Sequence, residues 1–233
     1  MENTLYSNNN ISSLVSNIPG SAMVLEELGI DYYCHGNSSL AEACAEAGCN
    51  PDEILEGMYN VTPEMTPRRE RDLSKAGLDR MLDHVTEEHY GFILGVTPVL
   101  NQLMKEVVTR HGKSHPDLID LNDLFTLLCE ELGAHMLKEE KMLHKETRRF
   151  ESSGQMESAS KTFPKNQMQR GLEYEHLRAI SHIKKIRRIT NGYAAPEYAC
   201  PDYRTLLWKM KKLELDLHRH ICEENYIVYP KAF

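Results

Sequence analysis

The chain has 233 residues, 41% hydrophobic and 27% charged, with a formal net charge of -8, which is enough for one medium domain and a small one. No apolar run approaches the roughly 20 residues of a membrane span, and the polar start Met1-Glu2-Asn3-Thr4 lacks the basic and apolar regions of a secretory signal, so the expected location is the cytoplasm. The acidic balance argues against a nucleic-acid footprint, and six cysteines without an export signal read as thiols rather than a disulfide framework.

In chain order, short helical patterns come first: Ile11 to Val15, Pro19 to Leu28, Leu40 to Ala47 and Pro51 to Tyr59. Asn50-Pro51-Asp52-Glu53 marks a helix start, with proline at the first helical position and acids in the first turn. Between the second and third patterns, Gly29-Ile30-Asp31-Tyr32-Tyr33-Cys34-His35-Gly36-Asn37 carries a cysteine and a histidine just before the Ser38-Ser39 helix start. A cysteine at or near a helix N-terminus is favoured as thiolate, so Cys34 is read as a candidate reactive thiol, beside the alternative of a packed, inert one. Cys44 and Cys49, with a C-x4-C spacing, give only a weak zinc signal. The polar stretch Asn60 to Asp72, with Pro63 and Pro67, reads as a linker between a small helical domain at 1–66 and a second domain at 72–233.

Four longer helices are predicted in that second domain, at about 74–109, 117–149, 166–190 and 202–226. No strand-like alternation of any length is present, so the expected fold is all-α, an antiparallel four-helix bundle preceded by the small helical domain. The first helix carries the stripe Leu78, Leu82, Val85, His89, Phe92, Val96, Val99 and Leu103, with Pro98 as a kink. The second runs Leu121, Phe125, Leu128, Leu132, His135, Glu139 and Met142; the third Leu172, His176, Ala179, Ile183 and Ile186; the fourth Leu206, Met210, Leu213, Leu217, His220, Glu224 and Ile227. The basic cluster Lys184, Lys185, Arg187 and Arg188 is the solvated face of the third helix.

Each stripe thus sends one histidine inward, and two add a glutamate at i+4 on the same face. Isolated carboxylates cost several kcal/mol to desolvate, so buried Glu139 and Glu224 need partners, and metal ions are the strongest candidates. His89, His135, His176 and His220 with Glu139 and Glu224 suit two first-row metals with open positions for a small molecule. The bland alternative, surface His–Glu ion pairs, fits poorly with two pairs in phase with two apolar stripes.

These segments resemble the iron-sulfur cluster repair di-iron proteins, which join an N-terminal helical domain bearing an Asp-Tyr-Cys-Cys-type motif to a hemerythrin-like bundle. The resemblance covers nearly the whole chain and rests on Ile30 to Gly36, Ser74 to His89, Glu131 to Glu140, Glu175-His176 and Leu217 to Pro230. It implies a non-haem di-iron centre between four helices, with His135, His176 and His220 terminal and Glu139 and Glu224 bridging. It also implies repair of iron-sulfur clusters damaged by nitric oxide or peroxide, by iron donation or by nitric oxide reduction. The expected partners are damaged iron-sulfur proteins and nitric oxide or oxygen as a small ligand, with no nucleic acid and no membrane, and a homodimer is left open. A hemerythrin-like carrier or sensor of oxygen or nitric oxide is the alternative function.

Two departures from the family stand out. The adjacent cysteines of the family motif are here Tyr33-Cys34, and a single thiol still forms mixed disulfides or donates one ligand. In the first bundle helix, ungapped comparison puts the family's ligating histidine at Tyr90, whereas helical phase selects His89, because the stripe Asp83, Thr86, Tyr90, Ile93, Thr97 is polar. A phenolate from Tyr90, or His84 through a distorted helix, stays open. Glu131, one turn before His135, and Glu175 are read as acids supporting the ligands. The small domain, carried on a proline-containing linker, is expected to approach the metal and part from it as a hand-off arm.

Overall fold

A computed structural model of the chain describes residues 9–18, 20–61, 76–153 and 165–233. Among these residues the regular structure is helical, with a single isolated antiparallel bridge between Asn10 and Ser39. The first helices are α1 (Ile11–Asn17), α2 (Ser21–Glu27), α3 (Leu40–Ala47) and α4 (Pro51–Tyr59). The spans of α3 and α4 are those the sequence predicts, because their start signals are explicit. Ser39 and Glu42 form a reciprocal capping box at α3, and Asn50 caps α4 with Pro51 in the first turn. Most of the expected linker, and Gly154 in the expected connection between the second and third long helices, lie outside the described residues.

Next come α5 (Leu78–His84), a π-helical turn at Val85–Tyr90, and α6 (Gly91–His111). Two long helices follow, α7 (Asp117–Ser153) and α8 (Lys165–Ile189). The C-terminal stretch is α9 (Pro201–Glu223), a second π-helical turn at Glu224–Val228, and α10 (Tyr229–Ala232). No helix among the described residues is long and apolar enough to cross a membrane.

The chain divides into two compact units, one of residues 1–82 with 217–231, the other of 83–216 with Ala232 and Phe233. In the first unit α2 packs against α1 and α4, and α3 against α4, burying Ile11, Leu25, Tyr32, Leu40, Leu55 and Met58. Fully burying an aliphatic side chain of this kind contributes about 1.5–3 kcal/mol.

The second unit is the helical bundle, and its directions can be read from side-chain pairs. Tyr90 with Glu139 and Thr97 with Cys129 set α6 and its π turn antiparallel to α7. His135 with His176, and Glu131 with Arg178 and His182, set α7 antiparallel to α8. His89 with Asp216 and His111 with Cys200 set α6 antiparallel to the first part of α9. The expected stripes of the second and third long helices are buried: Leu121, Phe125, Leu128, Leu132, His135 and Glu139 on α7, and Leu172, His176, Ala179, Ile183 and Ile186 on α8. Met142, expected inside, is half-buried, and Leu143 takes the buried place.

The first long helix departs from its expected phase. Leu82, Val85 and His89 are buried as predicted, but beyond them the buried residues are Tyr90, Ile93, Leu100, Met104 and Val107. Phe92, Val96 and Leu103 are only half-buried and Val99 is 43% exposed. The π turn is the physical reason. Gly91 donates its backbone N–H to Thr86 O, an i→i−5 bond that accommodates one residue more than an α-turn, so every later position is one residue out of phase with a regular helix. The reading that the stripe through Tyr90 faces polar surroundings is therefore corrected: His89 and Tyr90 are both buried.

Candidate metal centre

In the bundle unit, the i,i+4 spacing puts His135 and Glu139 on one face of α7, with His135 Nε2 3.6 Å from a Glu139 oxygen. Across from them on α8, His176 brings its Nε2 to 3.0 Å from the Nε2 of His135, with ring centroids 4.7 Å apart. Two ring nitrogens that face each other this closely can share at most one proton, which is the arrangement of donors converging on a common point. Both rings and Glu139 are buried.

The orientation of His135 has a cause on the far side of its ring. Its Nδ1–H donates to Glu175 at 2.9 Å, which leaves the Nε2 lone pair directed inward. Glu175 also accepts from Lys138 Nζ at 2.7 Å. Burial raises the Glu175 carboxyl, but the hydrogen bonds and charges of Lys138 and His135 together outweigh it and hold the group below its ordinary value. The expected support from Glu175 thus has a geometric counterpart. Glu131 is placed differently: it pairs with Arg178 and with His182 Nε2 at 3.1 Å, joining α7 to α8. Although Glu131 is one turn before His135, its carboxylate is engaged by Arg178 and His182.

At the π turn, His89 donates from Nδ1 to Asp216 at 3.1 Å, and the Tyr90 hydroxyl donates a short hydrogen bond to Glu139. His84 is half-buried, with its ring centroid 5.8 Å from that of His89. Asp216 was not singled out by the sequence reading. Its signal was available, since it stands one turn before His220 on the same helix, four residues earlier.

In the other unit, His220 and Glu224 are both buried, with His220 Nε2 2.6 Å from a Glu224 oxygen. Glu224 opens the second π turn and accepts from the Tyr229 hydroxyl at 3.3 Å. His135 with His176, and separately His220 with Glu224, each bring ligand atoms within 4.8 Å of one another, a spacing that the ligands of one metal ion can have. Nitrogen and carboxylate donors of this kind suit first-row metals such as iron, manganese and zinc.

Cys34 lies in the same unit as His220 but not at a helix start, which corrects the sequence reading. It belongs to a turn in which Asp31 accepts from the Cys34 N–H at 2.9 Å, six residues before the start of α3. The turn is held by residues of the C-terminal segment that the sequence reading did not single out. Tyr226 donates its hydroxyl to the Cys34 carbonyl at 2.5 Å, and Tyr33 stacks on His218 with centroids 3.6 Å apart. His218 in turn pairs with Glu26. A Cβ on Gly36 would lie 2.5 Å from the Tyr226 ring, so glycine is the residue that lets the ring approach. Tyr33, which stands where the family motif has a first cysteine, therefore has a packing role here. Among the other thiols, burial raises Cys222 and pushes Cys129 up to about 11, so both are held as neutral thiols.

Comparison with known proteins matches residues 80–232 to the hemerythrin HHE cation binding domain and residues 7–61 to a domain of unknown function, DUF542, called ScdA_N. The iron-sulfur cluster repair protein YtfE of Pectobacterium atrosepticum is 27% identical over 97% of this chain and 97% of its own length. A probable iron-sulfur cluster repair protein of Haemophilus influenzae is 25% identical over the same shares. The iron-sulfur cluster repair protein ScdA of Staphylococcus haemolyticus is 22% identical over 95% of this chain and 96% of its own.

Proposed function

Because the chain belongs to the hemerythrin HHE cation binding domain family, matched over residues 80–232, we propose that it is a non-haem di-iron protein that repairs iron-sulfur clusters damaged by nitrosative or oxidative stress. His135, Glu139, His176, His220 and Glu224 would hold the metal, with a sixth ligand supplied by the first helix at His89, Tyr90 or His84. Damaged iron-sulfur proteins are its partners in the cytoplasm. The observation that carries this reading is the convergence of His135 and His176 with Glu175 fixing the tautomer of His135. The family span, which takes in all of these residues, and the names of the full-length relatives support it further.

Two bound irons would supply one-electron chemistry, binding of a small diatomic ligand and a releasable metal ion. The protein's own groups set the conditions. Glu175 and Asp216 fix the rings of His135 and His89, and the Tyr90 hydroxyl donates a hydrogen bond to a Glu139 oxygen, helping to hold its negative charge.

Metal analysis with an optical spectrum of the full-length protein tests the centre, with about two irons per chain and oxo-to-iron absorption expected. The repair role is tested by adding the iron-loaded protein to an iron-sulfur enzyme inactivated by nitric oxide. Recovery of activity is expected with the wild type and not with His135→Ala, and a part of it is lost in Cys34→Ser with iron content unchanged. Reversible gas binding without any reactivation would replace repair by the carrier reading.

A further inference from the structure

The bundle unit holds a second constellation that none of the metal chemistry uses. α6 ends at His111 and α9 begins at Pro201, and their antiparallel pairing brings His111 Nε2 to 3.3 Å from the sulfur of Cys200. Cys200 is the residue directly before the 23-residue helix α9, where the exposed N–H groups of the first turn favour negative charge. It is half-buried, so the sulfur is reachable, and it is not in a disulfide.

The surroundings hold this pair in place. Arg204 donates from Nε to the Ala199 carbonyl at 3.1 Å and from its backbone N–H to the Cys200 carbonyl at 3.0 Å, tying the turn to the helix. Arg110 pairs with Asp202 at 3.5 Å, so the acid nearest in sequence has a cation beside it. Tyr198 is exposed and lies flat on His115, with centroids 3.9 Å apart and planes 5° from parallel, while Tyr203 is buried beneath. Burial, reinforced by Tyr198 and Asp117, pushes the Tyr203 phenol up to about 12, so it stays neutral.

We propose that Cys200 and His111 form a nucleophile–base pair, and that Cys200 is a covalent modification site for low-molecular-weight disulfides. A thiol hydrogen-bonded to an imidazole at a helix start is the arrangement that activates cysteine nucleophiles. In the step itself, the thiol proton passes to His111 Nε2 and the sulfur attacks one sulfur of the disulfide RS–SR. The S–S bond breaks, and the departing thiolate takes the proton back from the imidazolium. The products are a Cys200–S–SR mixed disulfide and one RSH, so atoms and electrons balance without a further oxidant. Excess thiol reverses the exchange.

The test uses the full-length protein, glutathione disulfide as the probe, and residue-resolved mass spectrometry, with iodoacetamide labelling in parallel. Cys200 should gain glutathione, and His111→Ala should slow both reactions at Cys200 by at least about tenfold while the rates at Cys34 and Cys129 stay unchanged. A merely structural role for His111 would instead loosen the region and speed labelling of Cys129 and of buried Cys222. Should alanine do so, His111→Asn is the second variant, and it should still slow Cys200 selectively. An unchanged Cys200 rate in a folded His111 variant, or no modification at Cys200 in the wild type, overturns the proposal.

Discussion

α7 and α8 keep a regular helical ladder through His135, Glu139 and His176, whereas the helix that carries His89 and Tyr90 takes in one extra residue at the same functional level. On the regular helices a period of 3.6 leads from an apolar stripe to the buried donors without error. On the other helix the count is right from Leu82 to His89 and one residue short beyond it. Periodicity reports which residues are inside only while the hydrogen bonds run i→i−4. π-helical turns occur often at functional sites, so the rule fails where the ligand assignment depends on it. The same feature recurs at Glu224, which opens the second π turn.

The largest effect expected from this comparison is on the regular side. His135→Ala or Glu139→Ala removes a proposed ligand from a helix with no slack in its register, and each should cost most of the bound metal by elemental analysis. Retention of two irons in both variants would remove these residues from the centre. The irregular side can be broken by one deletion. Removing exposed Glu87 takes out the extra residue, after which Leu82, Val85, Tyr90, Ile93, Leu100 and Met104 fall on one continuous α-helical stripe. The core should survive, within about 1–2 kcal/mol by denaturant titration. Loss of metal from this folded variant would show that the extra residue is needed to place the first-helix ligand, and full retention would show that it is not.

Most of the helical architecture was legible because its signals are local. Ser39-x-x-Glu42 and Asn50-Pro51 state where α3 and α4 begin, and the stripes on α7 and α8 state which faces are buried. Pairings between segments far apart in sequence were not legible. Glu131 has the correct phase to support His135, yet Arg178 and His182, some fifty residues away, engage it. Asp216 carried an i,i+4 signal to His220 but is bonded to His89, 127 residues distant. The Cys34 loop looked like an independent arm because nothing near it in sequence shows that Tyr226 holds Cys34 and His218 holds Tyr33, 192 and 185 residues away. Those contacts mean that a hand-off by Cys34 has to break the hydrogen bond to Tyr226 and the stack on His218 before the loop can move.

A smaller effect is expected from the group that orients His135. Glu175→Gln keeps the shape but weakens the acceptor for Nδ1–H, and losses of this kind are typically about 10–100-fold in metal affinity. Its pH dependence has a definite sign. The carboxyl of Glu175 is held below its ordinary value in the folded chain, so its stabilising contribution is fully present above the ordinary glutamate range, about 4.3, and is lost as pH falls through the folded value. The stability difference between wild type and Glu175→Gln should therefore be flat near neutrality and shrink on acidification. A difference that grows in acid would show that another group dominates.

The smallest effect, and the one that most sharpens the comparison, is that of Tyr90→Phe. The Tyr90 hydroxyl donates to Glu139, a buried carboxylate on the regular helix, so the irregular helix acts on the regular one through this bond. Phenylalanine keeps the ring and its packing and removes only the donor. Hydrogen bonds to charged groups contribute about 1.5–3 kcal/mol, but a bound cation offsets the negative charge that Tyr90 otherwise helps to hold. The cost should therefore appear in the metal-free protein as a lower denaturation midpoint, with iron content reduced less than tenfold, the equivalent of about 1.4 kcal/mol. Tyr90 as a direct ligand predicts the opposite pattern: a large loss of iron, a changed absorption spectrum and little change in the metal-free midpoint. Measuring both quantities on the one variant separates a hydrogen-bond donor to Glu139 from a phenolate on the metal.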